Sequence, residues 1–376
     1  MAGIYIHIPF CRQACHYCNF HFSTNHAQKA ALLDAMVKEI MLTEVADLAE
    51  TIDTIYFGGG TPSLLSLQEL SMLMKAVSQR FSINPAAEIT LEANPDDINQ
   101  AILSGWLNVG INRLSLGVQS FNEAELKWMN RAHNAQQSIQ SIDDILAAGF
   151  TNFSVDLIYG SPLLNNEAFE KNLQLVIDKN IPHISAYALT VEEKTALHHL
   201  IERQRSLPVD EARQAEQFQI LLERTAAAGY EQYEISNFAK PGFRSRHNSS
   251  YWQGKRYYGF GPSAHSFNGE NKRSWNIANN ALYIQSLNNN LIPVESELLT
   301  ETQQLNEYIM ISLRTMEGID LSIVQDRFGE EKKAELKSAA APFTEDGLLL
   351  LDKEAIRLTK KGKFLADGIA AALFFN

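Results

Sequence analysis

The sequence predicts an α/β fold: a partial (βα)6 barrel followed by a smaller C-terminal winged-helix-like α+β domain. Three observations predict it. From residue 1 to about 190, short β-branched or aromatic runs alternate with helical stretches, the pattern of a parallel sheet covered by helices. Six such units are read, too few for the eight of a closed barrel. Beyond about residue 292 the alternation gives way to helices, a hairpin and a closing helix.

In chain order, the strands are read as Gly3–Ile8, Asp53–Phe57, Ala87–Ala93, Arg113–Val118, Phe153–Tyr159 and His183–Thr190. Helical periodicity places helices at Gln28–Leu48, Leu67–Arg80, Ile98–Leu107, Ala135–Ala147 and Glu167–Asp178. A long amphipathic stretch, Val209–Ala228, leads into a strand around Gln232–Ile235, which ends a first unit at 1–235. Residues 236–290 form an aromatic-rich connecting segment. A loop that long is usually functional or disordered, and its six aromatics from Tyr251 to Phe267 argue against disorder. In the last unit, 291–376, helices at Glu301–Arg314 and Leu321–Phe328 precede a hairpin turning at Asp352–Glu354 and a helix over Lys360–Leu373.

Composition narrows the function classes. With 376 residues and 45% hydrophobic side chains, the chain can fill a full core. Its net charge of −12 would repel nucleic acid. No leader-like N-terminus is read and no run is long enough to span a bilayer. Free thiols without an export signal lead to the expectation of a cytoplasmic protein.

The three cysteines, Cys11, Cys15 and Cys18, are spaced C-x3-C-x2-C on the loop leaving the first strand. Three clustered cysteines make a poor disulfide framework. Zinc on the three thiols plus His16 or His21 is one reading. A [4Fe–4S] cluster with three thiolate-bound irons and one open iron is the other, favoured reading. An open iron could chelate the amine and carboxylate of S-adenosylmethionine.

Ligands of such sheets bind beyond the carboxyl ends of the strands, and the unusual residues of this half sit there. Gly58-Gly59-Gly60-Thr61-Pro62 follows the second strand, either as a tight turn or as backbone open to a ligand. No Lys-Ser or Lys-Thr pair follows it, so it is not a phosphate-binding P-loop. Glu92 and Asp156 are carboxylates on otherwise apolar strands. Each needs a partner, either a ligand or a structural ion pair. Gln119 ends the fourth strand, and Arg131 could grip a carboxylate or simply face solvent. Farther on, His247 in His247-Asn248-Ser249-Ser250-Tyr251-Trp252 is either a loop-core histidine or a haem-iron ligand beside flat aromatic faces. His265 is a weaker candidate of the same kind.

The run Tyr5-Ile6-His7-Ile8-Pro9-Phe10-Cys11, the cysteine loop, Gly58-Gly59-Gly60-Thr61-Pro62-Ser63, Glu92-Ala93-Asn94-Pro95 and Gly117-Val118-Gln119-Ser120-Phe121 carry a resemblance over nearly the whole chain. It is to the radical-SAM group that includes oxygen-independent coproporphyrinogen III dehydrogenase and the haem chaperones. The resemblance implies a [4Fe–4S] cluster on Cys11, Cys15 and Cys18. It implies S-adenosylmethionine contacts from Tyr5, Gly59, Gly60, Thr61, Glu92, Gln119, Arg131 and Asp156. The dehydrogenase carries a fourth cysteine where this chain has Phe20, and an N-terminal extension where this strand begins at residue 3. Both features, and the H-N-x-x-Y-W run at His247, resemble the haem-chaperone branch. That branch binds haem and delivers it to haem proteins such as respiratory enzymes, whose company would bring the chain to a membrane surface. The alternative is oxidative decarboxylation of coproporphyrinogen III.

Overall fold

The computed structural model describes residues 2–45 and 50–376. Its first six strands are β1 (Ala2–Ile8), β2 (Thr51–Gly59), β3 (Ser82–Ala93), β4 (Arg113–Gln119), β5 (Phe153–Tyr159) and β6 (His183–Ala188). They pair in parallel, each with the next in sequence. Between them run helices Lys29–Leu42, Leu67–Arg80, Gln100–Val109, Ala135–Ala147 and Asn166–Asp178. Their starts follow local chemistry. Ser66 and Glu69 form a reciprocal capping box, as do Asn134 and Gln137. The first helix ends at Leu42, short of the expected Leu48; residues 46–48 of that expectation lie outside the described residues.

One sheet holds twelve strands. After β6 come β7 (Glu231–Glu234), β8 (Asn237–Ala239), β9 (Tyr257–Phe260), β10 (His265–Phe267), β11 (Lys272–Asn276) and β12 (Val294–Leu298), in the order β12-β11-β10-β9-β1-β2-β3-β4-β5-β6-β8-β7. Residues 236–290 thus contribute strands to the barrel sheet, with β9 parallel to β1. A buried carboxyl stitches this segment down. Glu39 accepts hydrogen bonds from the Gly261 N–H at 2.9 Å, the Asn276 amide at 2.5 Å and the Tyr283 hydroxyl. β12 also belongs to this sheet, past the expected boundary at 291. Its run Val-Glu-Ser-Glu-Leu is mostly exposed and carries no core signal.

The six parallel strands have two chemically distinct faces. Ile4, Ile6, Ile8, Ile55, Phe57, Leu91, Leu114, Leu116, Val155 and Leu157 pack outward into the main hydrophobic core with the helices. The alternate residues are polar and register-matched across strands: Tyr56 opposite Thr90, Thr90 opposite Arg113, Glu92 opposite Ser115, and Asp156 opposite Ser185. The barrel interior is therefore polar, and successive residues of each strand face opposite sides.

A second core gathers Leu305, Ile309, Leu313, Val324, Leu336 and Ile369 among others. Its elements run helix Glu301–Leu313, β13 (Ile319–Asp320), helix Leu321–Phe328, helix Glu330–Glu345, β14 (Leu349–Leu351) and β15 (Ala355–Leu358), with sheet order β13-β15-β14. This is the order of a winged helix. Helix 330–345 has no counterpart in the sequence reading, because it buries only Leu336 and Ala340 and contains Pro342. The expected closing helix is two pieces, Lys360–Lys363 and Ala366–Ala372. Gly362 rests on the Leu348 carbonyl, where a Cβ would overlap. Arg314 ties the two units, at 2.9 Å from the buried Glu234 carboxylate.

Candidate functional site

A cavity of about 490 Å³ opens at the carboxyl ends of the parallel strands. The three thiols, Gly59, Gly60, Thr61, Glu92, Gln119, Arg131 and Asp156 all line it. The cysteine loop is anchored at both ends: Cys11 N–H donates to the Ser23 carbonyl at 3.0 Å, and Ser23 N–H to Pro9 at 2.9 Å. The glycine run passes beneath it. A Cβ on Gly60 would lie 2.7 Å from the Phe10 carbonyl oxygen, and one on Gly58 would lie 2.9 Å from the Tyr5 and Tyr56 rings. Gly59 has a φ of 107°, a left-handed conformation that favours glycine.

Arg131 links the loop to the sheet. Its guanidinium donates to the Cys15 sulfur at 3.2 Å, the Asn94 side-chain oxygen at 2.6 Å and the Gly117 carbonyl at 2.8 Å. Gln119 holds a φ of 67°, rare for a side chain of its size, where β4 slips register against β5. Glu92 accepts from the Tyr56 hydroxyl at 2.8 Å and the Gly59 N–H at 3.2 Å. Burial nevertheless pushes its carboxyl up to about 7. Asp156 accepts from the Ser115 hydroxyl at 3.0 Å, and burial raises it to about 6. Burial also pushes the Cys11 thiol up to about 11 and raises that of Cys18.

The donor set and its spread suit a multi-iron cluster. Thiolates on one tetrahedral zinc, with bonds of about 2.3 Å, sit about 3.8 Å apart. Among the described residues, the cysteine sulfurs are not all within 4.8 Å of one another. Neither histidine of the zinc reading lines the cavity. His16 Nδ1 bonds the Trp128 carbonyl at 2.7 Å, and His21 Nε2 bonds the Asn280 side chain at 2.8 Å.

The Radical SAM superfamily profile matches residues 5–176, and that of the HemN C-terminal domain matches 299–365. The Heme chaperone HemW of Bacillus subtilis is 32% identical, over 99% of both chains. That of Mycobacterium tuberculosis is 33% identical, over 99% of this chain and 94% of its own. The chain belongs to the HemW family. The Bos taurus "Radical S-adenosyl methionine domain-containing protein 1, mitochondrial" is 31% identical, over 99% of this chain and 87% of its own. Among solved structures, coproporphyrinogen III oxidase (HemN) of Escherichia coli, a radical SAM enzyme, superposes with a TM-score of 0.86. It is 25% identical, covering 99% of this chain and 90% of its own. Membership in the superfamily implies S-adenosylmethionine and a [4Fe–4S] cluster.

Two of the expected site residues do not reach the cavity of this HemW-family chain. Tyr5 lies beneath it, stacked on Tyr56 with ring centroids 6.1 Å apart. His247 lies deeper still, 1% exposed, its ring 5.0 Å from that of Tyr56. Its Nδ1 is hydrogen-bonded to the Thr54 hydroxyl and its Nε2 to the Tyr251 hydroxyl, both at 2.8 Å. Of the two sequence readings, the hydrogen-bonded histidine describes its place here: both ring nitrogens are engaged inside the barrel, and burial lowers the ring to about 3. His265 is exposed, 6.2 Å from the Trp275 ring. The sequence reading passed over Tyr56, Asn94 as the anchor of Arg131, and Ser115. Alternation along β2 and β4 puts Tyr56 and Ser115 on the face of Glu92, a signal present in the sequence.

Proposed function

We propose that the chain binds haem and delivers it to haem proteins such as respiratory enzymes, on a radical-SAM scaffold whose cavity holds a [4Fe–4S] cluster on Cys11, Cys15 and Cys18. The observation that carries the haem reading is end-to-end similarity to relatives named haem chaperones. Phe20 supports it: the side chain is 66% exposed on the cavity wall, where a dehydrogenase would offer a thiol.

Gly59, Gly60, Thr61, Glu92, Gln119, Arg131 and Asp156 would surround S-adenosylmethionine at the open iron. When bound, the cluster supplies an electron and a chelating iron. Arg131 supplies fixed positive charge beside the Cys15 sulfur. The glycine run keeps side chains out of the floor, and its backbone groups can pair with an ammonium and a carboxylate. Glu92 and Asp156 can accept from a ribose diol or an ammonium. Tyr5 acts from beneath, packed under Gly58. His247 would hold haem iron only if its ring left Thr54 or Tyr251.

We divide the chain at 1–235, 236–290 and 291–376, with the middle segment adding strands to the barrel sheet. Among the described residues, no helix is long and apolar enough to cross a membrane. We place the protein in the cytoplasm, where thiols stay reduced. The second reading, decarboxylation of coproporphyrinogen III, is favoured by the likeness to the Escherichia coli oxidase. One experiment separates them: anaerobically reconstituted protein receives haem and coproporphyrinogen III in turn. Binding of about one haem per chain without conversion supports the first; formation of protoporphyrinogen IX with S-adenosylmethionine and a reductant supports the second.

A further inference from the structure

Outside the cavity, one set of ligating side chains stands on the short helix Ala196–Glu202, after β6. His198 and His199 both turn Nδ1 toward Glu202 Oε2, at 3.6 and 3.2 Å. Among the described residues, these three are the group whose ligating atoms all lie within 4.8 Å of one another. His198 Nδ1 is shielded from solvent and has no hydrogen-bond partner. Most other histidines of the chain have a ring nitrogen committed to a carbonyl, an amide or a hydroxyl.

We propose that His198, His199 and Glu202 form a site for a divalent transition-metal ion of the zinc or nickel class. Two neutral imidazoles and one carboxylate are the donor set such ions take, and three protein donors leave coordination positions open to water or an external donor. The residues are spaced i, i+1 and i+4, so one turn of helix supplies every ligand. Seven residues are too few for a helix to persist without tertiary support. This one has two anchors besides the metal ligands. Thr195 caps its start, accepting from the His198 N–H at 3.2 Å. Leu197 is buried with Met129, Ile158 and Leu189, and its N–H donates to the His16 carbonyl at 2.7 Å. His16 lies between Cys15 and Cys18, so an ion at this site clamps the helix that braces the cysteine loop.

The test is anaerobic equilibrium dialysis of the reconstituted full-length protein against zinc, with bound zinc and iron counted per chain. Wild type holds one zinc more than H198A/H199A, at equal iron content. E202Q, a near-isosteric change at an exposed position, weakens zinc binding at least tenfold with the circular dichroism unchanged. Because the thiols are identical in all three proteins, zinc on the cysteines cancels in the comparison. With zinc at about 100 times its dissociation constant, amide exchange over residues 197–203 slows up to about 100-fold in wild type, and is unchanged in the double variant. Equal zinc content in wild type, H198A/H199A and E202Q overturns the proposal, as does zinc binding that leaves exchange in this helix unaltered. Should the double variant fail to fold, E202Q alone decides it by the same counts.

Discussion

Glu92 gives a quantitative handle on the cavity. Its carboxyl is buried between the Tyr56 hydroxyl and the Gly59 N–H, and burial, followed by the neighbouring Asp156 charge, pushes it from an ordinary 4.5 to about 7. At about 1.4 kcal/mol per tenfold, that difference means the folded protein penalises the ionised form by about 3 kcal/mol. The folded value lies above the unfolded one. The associated stability is therefore fully present below pH 4.5 and lost as pH rises through about 7. Glutamine has nearly the same shape and does not titrate. In cofactor-free protein, Glu92→Gln should gain on wild type by about 2–3 kcal/mol between pH 5 and pH 8, with glutamine favoured at the higher pH. Any fixed cost of turning an amide toward Tyr56 cancels in that difference. Urea unfolding of both proteins at the two pH values measures it. A gap that stays constant from pH 5 to pH 8 would refute the reasoning.

Other outcomes follow from the same geometry. Replacing any one of Cys11, Cys15 or Cys18 by Ala should remove the brown colour and most of the iron of anaerobically reconstituted protein; a variant that keeps about four irons per chain would contradict the assignment. Gly60→Ala puts a Cβ 2.7 Å from the Phe10 carbonyl oxygen, so thermal unfolding should show a loss of about 1–3 kcal/mol, together with weaker S-adenosylmethionine binding. His247→Ala leaves the Thr54 and Tyr251 hydroxyls facing a void and should cost about 2–4 kcal/mol in urea. A shifted haem Soret band with undiminished stability would instead mean that the ring is free to bind iron.

The fold was legible because its signals are local and repeated. The strand Phe153-Ser-Val-Asp-Leu-Ile-Tyr159 has the bounds read from its β-branched and aromatic residues, and helices 67–80 and 135–147 start where capping boxes start them. What escaped lacks an apolar stripe of its own. Helix 330–345 is polar on most faces, and helix 246–252 is a capped helix of about two turns that buries His247 and Ser250. The site was legible at its chemically odd residues, cysteines, glycines and isolated carboxylates on a strand. It was not legible at Tyr56 or Ser115, whose types are ordinary in strands and whose importance comes from facing the same way as Glu92. Reading the strands as uniformly buried runs hid the alternation that separates a polar interior from an apolar exterior. His247 was open between two readings for a related reason: a motif gives residue type and spacing, but not whether a ring nitrogen is already taken.

The polar interior also explains why the cavity is suited to charged cofactors. On one wall, burial raises Cys11 and Cys18 so that the thiols hold their protons; on the other, burial raises Glu92 and Asp156. In both places burial favours the neutral form, and positive charge brought there would favour the anionic one. Iron would supply that charge to the thiols, and an ammonium or sulfonium would supply it to the carboxyls. Loading the cavity must then release protons, and the release should grow as pH falls below the values of the free groups. Arg131 meets this demand only in part: its charge lowers Cys11, Cys18 and Asp156, but burial outweighs it at all three. Glu92 meets the glycine run at Gly59, accepting its N–H at 3.2 Å, and no side chain fits there, since a Cβ on Gly59 would lie 2.6 Å from the His7 ring. A cationic group bound there would meet the Glu92 carboxylate across bare backbone.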